Sequence, residues 1–185
     1  MRCAIFIDGA YLEHIAKQEF SLVQIDFAKL SIAMAGGKEI LRTYYYDCLP
    51  YQSNPPTKEE KERFSKKQKF FTYLERLPRY AVRYGRLAYR GIDNRGKPIF
   101  EQKGIDTLLC VDMVNLGATH QISSVILLAG DSDCIPGIKI VKEHGVDVLL
   151  YHAQDKRNYH WHLWQECDER FPIDQGFIDR VKKLP

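Results

Sequence analysis

Carboxylates stand at three points where this chain passes from an apolar run into a turn or helix. Asp8 follows Cys3–Ile7, Asp131 and Asp133 follow Val125–Ala129, and Asp106 enters a helical pattern announced by Lys103-Gly104. Unpaired carboxylates gathered in one place repel one another, so some hold a proton or a cation binds among them. Oxygen donors with no nearby His or Cys favour Mg²⁺ or Mn²⁺ over zinc. Each acid also has a local explanation. Ser132 or Asp133 can cap a helix through Ile135–Ile138, and the helix dipole favours Asp106 in a first turn. What argues for a metal site is the joint occurrence of acids on separated elements. Asp112, six residues beyond Asp106 and about 120° round the helix, does not share its face.

These acids must be positioned by strands and helices in alternation. Cys3–Ile7 and Val125–Ala129 are strand-length apolar runs of the kind buried on both faces of a parallel sheet, and Val146–Tyr151 is a last such strand. Helical spacing follows Asp8 in Tyr11, Leu12, Ile15 and Ala16. A second helix starts at Asp26 and ends at Gly36-Gly37. Glu39–Asp47 reads as an aromatic strand, and Tyr51–Pro56 as a loop. Thr57 caps a charged helix to about Leu77, closed by Pro78. Ala81–Tyr89 is a strand, Gly91–Pro98 a turn, and Ile99-Phe100 a short edge strand. Helices are expected over Ile105–Leu116 and Ile135–His144, and a further one within Asn158–Phe171 packs back on the body before a short tail. This alternation predicts an α/β sandwich with a central, mostly parallel sheet flanked by helices.

The 185 residues are 45% apolar, enough for one good core, and predict a single domain over 1–185 with its core at about 3–170. No run reaches membrane-span length, and the N-terminus lacks a signal-peptide pattern, so a cytoplasmic protein is expected. Cys3, Cys48, Cys110, Cys134 and Cys167 are odd in number and form no C-x-x-C pair, which points to reduced thiols. The grouping of His152, His160, His162 and Cys167 matches no standard zinc finger. Net charge is +3, but eleven Lys and Arg against four acids between Lys58 and Arg90 make that stretch +7 and leave −4 elsewhere.

The segments FIDGAYL (Phe6–Leu12), KGIDTLLCVDMV (Lys103–Val114), LLAGDSDCIPGI (Leu127–Ile138) and GVDVLL (Gly145–Leu150) resemble the NYN domain, the LabA-like (DUF88) branch of the PIN-like nucleases. The resemblance runs from about residue 3 to 170. It implies a PIN-like three-layer sandwich and a Mg²⁺- or Mn²⁺-dependent endoribonuclease, with catalytic and metal-site roles for Asp8, Asp106 and Asp131. Asp133 is close by, and Asp112 matches a further acid of the K-G-x-D block. One position departs: many members carry Asn in D-G-x-N where this chain has Tyr11. That departure supports an alternative, a weak or inactive RNA- or protein-binding module of the same fold. A phosphohydrolase for small phosphate esters is a second rival.

The implied reaction is hydrolysis of RNA, with Ser132 and Lys103 as candidate phosphate contacts. The basic third would supply the groove, with Lys66, Lys67 and Lys69 on phosphates and Arg83 and Arg86 nearer the sheet. Tyr44, Tyr45, Tyr46, Tyr84 and Tyr89 offer rings for unpaired bases, which suits single-stranded RNA. Whether copies of the chain, or another protein, associate with it is left open.

Overall fold

Apolar runs form the sheet and helical stripes cover it. The computed structural model describes residues 2–21, 23–94, 96 and 98–183. Along the chain lie β1 (Arg2–Asp8), α1 (Gly9–Glu19), α2 (Phe27–Ala35), β2 (Glu39–Cys48), α3 (Lys58–Glu75), β3 (Tyr80–Ile92) and β4 (Pro98–Lys103). There follow α4 (Ile105–Ala118), β5 (Ser124–Leu128), α5 (Ile135–Glu143), β6 (Asp147–His152), α6 (Trp161–Glu166), β7 (Glu169–Pro172) and α7 (Gln175–Val181). One-turn 3₁₀ helices occupy Ser132–Cys134 and Lys156–Asn158.

The seven strands lie in the order β4-β3-β2-β1-β5-β6-β7, and only the β3–β4 pair is antiparallel. Side chains alternate across such a sheet. Ile5, Ile7 and Tyr45 face a layer built with α1, α2, α3 and α7, while Phe6, Tyr44 and Tyr46 face α4, α5 and α6. The expected α/β architecture, a mostly parallel sheet between helices, is the one observed. At α3, Thr57 Oγ1 accepts from the Glu60 amide at 3.2 Å while Glu60 Oε2 accepts from the Thr57 amide at 2.9 Å. This reciprocal cap, worth about 0.5–2 kcal/mol, fixes where the basic helix starts.

Three expectations need correction. The helix foreseen within Asn158–Phe171 is only six residues long, and the chain then forms β7, an edge strand parallel to β6. The expected short tail is a helix: α7 buries Phe177, Ile178 and Val181 in the α1–α2 layer, and Asp174 caps it by accepting from the Phe177 amide at 2.6 Å. β3 also runs longer than Ala81–Tyr89, because β2 pairs with its first half and β4 with its second. Within the expected Gly91–Pro98 turn, Arg95 and Lys97 lie outside the described residues, as do Leu184 and Pro185 in the tail.

Candidate functional site

Strand order reverses between β1 and β5, since β2 and β3 follow on one side and β6 and β7 on the other. Such a reversal opens a crevice beyond the strands' carboxyl ends. Here the crevice is an open cleft of about 490 Å³. Asp8, Tyr11 and His14 line it from the start of α1, Gly130 and Asp131 from the turn after β5, and Asn158 and His160 from the loop after β6.

Local sequence explains how each acid arrives. Asp8 ends β1 and caps α1, its Oδ1 accepting from the Tyr11 amide at 3.0 Å. Asp131 does the same for the 3₁₀ turn, its Oδ1 accepting from the Asp133 amide at 3.2 Å. This reverses one expectation: Asp131 is the cap, and α5 has no side-chain cap from Ser132 or Asp133. Gly130 is required by space, because a Cβ there would stand 2.3 Å from Cε2 of the Tyr11 ring. Tyr11, the departure from the resembled pattern, is built into the wall. Its ring covers Gly130 and its hydroxyl accepts from the Ala153 amide at 3.0 Å.

The third loop is held by a small polar network. Glu19 accepts from the Gln154 amide at 3.1 Å and from Asn158 Nδ2 at 2.8 Å. With its amide nitrogen engaged this way, Asn158 presents Oδ1 to His14 Nε2 at 3.3 Å, so that ring nitrogen carries the proton. The His160 amide donates to the Gly130 carbonyl at 2.8 Å, tying the loop to the Asp131 turn.

The electrostatics couple the acids across elements. Burial, then repulsion from Asp106 and Asp47, outweighs the Tyr11 and Ala10 amides and pushes the Asp8 carboxyl up to about 6. Asp106, partly buried in the first turn of α4, is also raised, by burial first and then by Asp131 and Asp133. Among the described residues, Asp8, Asp106, Asp131 and Asp133 form no ion pair with a Lys or Arg. Nor, among those residues, do three His, Cys, Asp or Glu side chains close around a single point as a finished metal cage would.

Other expected residues are engaged elsewhere. Asp112 does not join these acids: its Oδ2 accepts from Arg83 Nε at 2.7 Å and from the Tyr46 hydroxyl at 2.9 Å. Arg83, so paired, also lies 4.9 Å from the Tyr44 ring centroid. Lys67 is not an open phosphate contact, since its Nζ stands 2.6 Å from Asp47 Oδ2 and 3.6 Å from Glu13 Oε2. Lys103 is exposed and pairs with Glu101 at 2.7 Å, while Arg86 is exposed opposite it in the β3–β4 register. Lys66 and Lys69 remain exposed along α3, and Ser132 opens the 3₁₀ turn beside Asp131. Tyr44, Tyr45 and Tyr46 are core residues, whereas Tyr84 and Tyr89 are exposed.

Sequence reasoning missed Asp47, the penultimate residue of β2, one position past the partner of Asp8 and 3% exposed. Its signal was the one used for Asp8, an acid at a strand's carboxyl end. His14, Asn158 and His160 carried no such signal, since only the meeting of α1 with the loop after β6 brings them to the cleft.

Comparison with known proteins places these features in context. Residues 2–174 match the NYN domain family. The uncharacterized protein y4oD of Sinorhizobium fredii is 42% identical over 85 residues, which are 45% of this chain and 40% of that protein's length. A crystal structure of a protein of unknown function from Vibrio parahaemolyticus aligns over 98% of this chain and 96% of its own, with a TM-score of 0.63 at 17% identity. At that identity the likeness shows the fold alone.

Proposed function

Because this chain belongs to the NYN domain family, we propose that it is a ribonuclease of the LabA-like (DUF88), PIN-like branch, hydrolysing phosphodiesters in single-stranded RNA with Mg²⁺ or Mn²⁺. NYN domains are generally nucleases, and they typically use divalent metals. The observation that carries the proposal is the set of carboxylates, Asp8, Asp106, Asp131 and Asp133, that have no cationic partner among the described residues, with Asp8 raised by burial and by Asp106 and Asp47, and Asp106 by burial and by Asp131 and Asp133.

The donor set fits such an ion. All its donors are hard carboxylate oxygens, and an open arrangement suits Mg²⁺, which keeps several waters and takes one or two carboxylates plus substrate phosphate. Asp8, Asp106 and Asp131 would hold it, with Asp133 adjacent. When bound, the ion supplies Lewis acidity toward the phosphoryl oxygen and acidifies water. The chain's own part is orientation. The backbone amides of Tyr11 and Asp133 fix the two capping carboxylates, Tyr11 and Gly130 set the wall between them, and Ser132 offers a hydroxyl beside Asp131. Asp112 has no role in this reading, being committed to Arg83.

Fluorescent single-stranded RNA incubated with the protein and Mn²⁺ tests the proposal. The expected result is cleavage abolished by EDTA and reduced roughly 100-fold or more by Asp131→Asn. Equal cleavage by both proteins contradicts it. Tyr11 favours the second reading, a binding module, because its ring fills the wall over Gly130 and its hydroxyl accepts from the Ala153 amide, where the resembled pattern carries an Asn amide. That module would bind RNA in a salt-dependent way, leave it intact and take up no Mn²⁺ in calorimetry.

A further inference from the structure

The aromatic, histidine-rich stretch after β6 has no part in the carboxylate chemistry. Trp161 opens α6 and is 51% exposed, an unusual state for so large an apolar ring. Trp164, one turn on, lies against it with ring centroids 4.8 Å apart and planes 11° from parallel. The Arg170 guanidinium sits 4.5 Å from the Trp164 centroid, and its N–H groups donate to the carbonyls of Trp164 at 2.7 Å and Gln165 at 3.0 Å. Trp164 is thus held by Arg170 and in turn supports the Trp161 ring. Half of Trp161 is left to solvent, and its ring is already held by the stack.

The chain itself places Trp161 next to the acidic cleft. His160, the residue before it, lines the cleft, and its amide is bonded to Gly130, next to Asp131. Consecutive Cα atoms are only about 3.8 Å apart. The neighbouring rim is polar: Lys156, Arg157, His160, His162 and Gln165 are all exposed, and Arg157 is paired with Asp155. A surface meant for another protein would continue into further apolar residues, whereas a single flat ring among polar side chains, with Lys156 in the same loop, matches what single-stranded nucleic acid requires.

We propose that Trp161 is a stacking platform for an unpaired base of the RNA strand whose phosphate enters the acidic cleft. The inference rests on the nuclease reading and specifies where that substrate is gripped. Trp161 and Trp164 are the only tryptophans in the chain, so intrinsic tryptophan fluorescence reports on this stack alone.

The test uses the full chain in EDTA, with a labelled single-stranded RNA followed by anisotropy and, in parallel, tryptophan emission. RNA binding is expected to quench the emission, and Trp161→Ala to weaken binding by roughly 5- to 100-fold, with Trp161→Phe retaining most of the affinity. In a series of oligonucleotides each lacking one base, one position is expected to weaken the wild type and leave Trp161→Ala unaffected, a coupling that a merely structural role does not produce. RNA that binds without quenching, or with equal affinity to Trp161→Ala, overturns the platform and leaves the nuclease reading intact. A loss of self-association in Trp161→Ala with unchanged RNA binding overturns it in favour of a protein contact. RNA that quenches emission in EDTA yet is never cut with Mn²⁺ supports the platform and overturns the nuclease reading.

Discussion

Asp8 is held where its charge is unfavourable, and that is measurable. Its carboxyl titrates at about 6, against about 3.9 for a free side chain. Between those values the folded chain binds more protons than the unfolded one, so stability falls as pH rises through the window and the full penalty applies above it. Asn at this position keeps the cap for the Tyr11 amide and carries no charge. Asp8→Asn is expected to stabilise the metal-free protein by about 1–3 kcal/mol near neutral pH, with the gain fading toward pH ~4. Urea unfolding in EDTA at the two pH values checks this. Lys67 shows the opposite balance. Removing it as Lys67→Ala leaves Asp47 buried without its cation, which is expected to cost about 3 kcal/mol or more in unfolding free energy. Asp8 and Asp131, the two acids that line the cleft, were legible because strands and helices announce their own ends. Asp47 met the same criterion and was hidden at the close of an aromatic run. The partners of Lys67 and Arg83 were not legible, since such pairs depend on which strands become neighbours.

Elements differ in how much of their formation is local. β1, β5 and β6 are continuous apolar runs buried on both faces, and their identity follows from composition alone. α6, β7 and α7 have six, four and seven residues, too few for a periodic pattern or for an isolated helix to be stable. Tertiary contact makes them: β7 adds to the edge of β6, and the Phe177 ring packs 5.3 Å from that of Tyr151. α7 is therefore part of the core although it lies beyond the residues that match the NYN domain. Phe177→Ala is expected to destabilise by about 3–5 kcal/mol, read as a lower urea midpoint with an unchanged slope. A midpoint within error of the wild type contradicts that role for α7.

Across the whole molecule, charge is divided between a basic helix and an acidic edge. α3 carries Lys66 and Lys69 outward, while the carboxylates gather where the strand order reverses. If RNA runs from α3 toward the cleft, Lys66→Ala and Lys69→Ala each lower the slope of log affinity against log salt by about 0.7, and Lys67→Ala leaves it unchanged. Binding titrations at several salt concentrations separate these outcomes. Among the described residues no helix is long and apolar enough to cross a membrane. The sheet's switch point is what brings Asp8 and Asp131 to one cleft, because it places the ends of β1 and β5 side by side. The central claim, that these acids share a divalent ion, is tested most directly by anomalous diffraction from crystals soaked in Mn²⁺. The account predicts a peak contacted by Asp8 and Asp131, lost in Asp131→Asn; no peak there, or one bound only by His160 and His162, contradicts it.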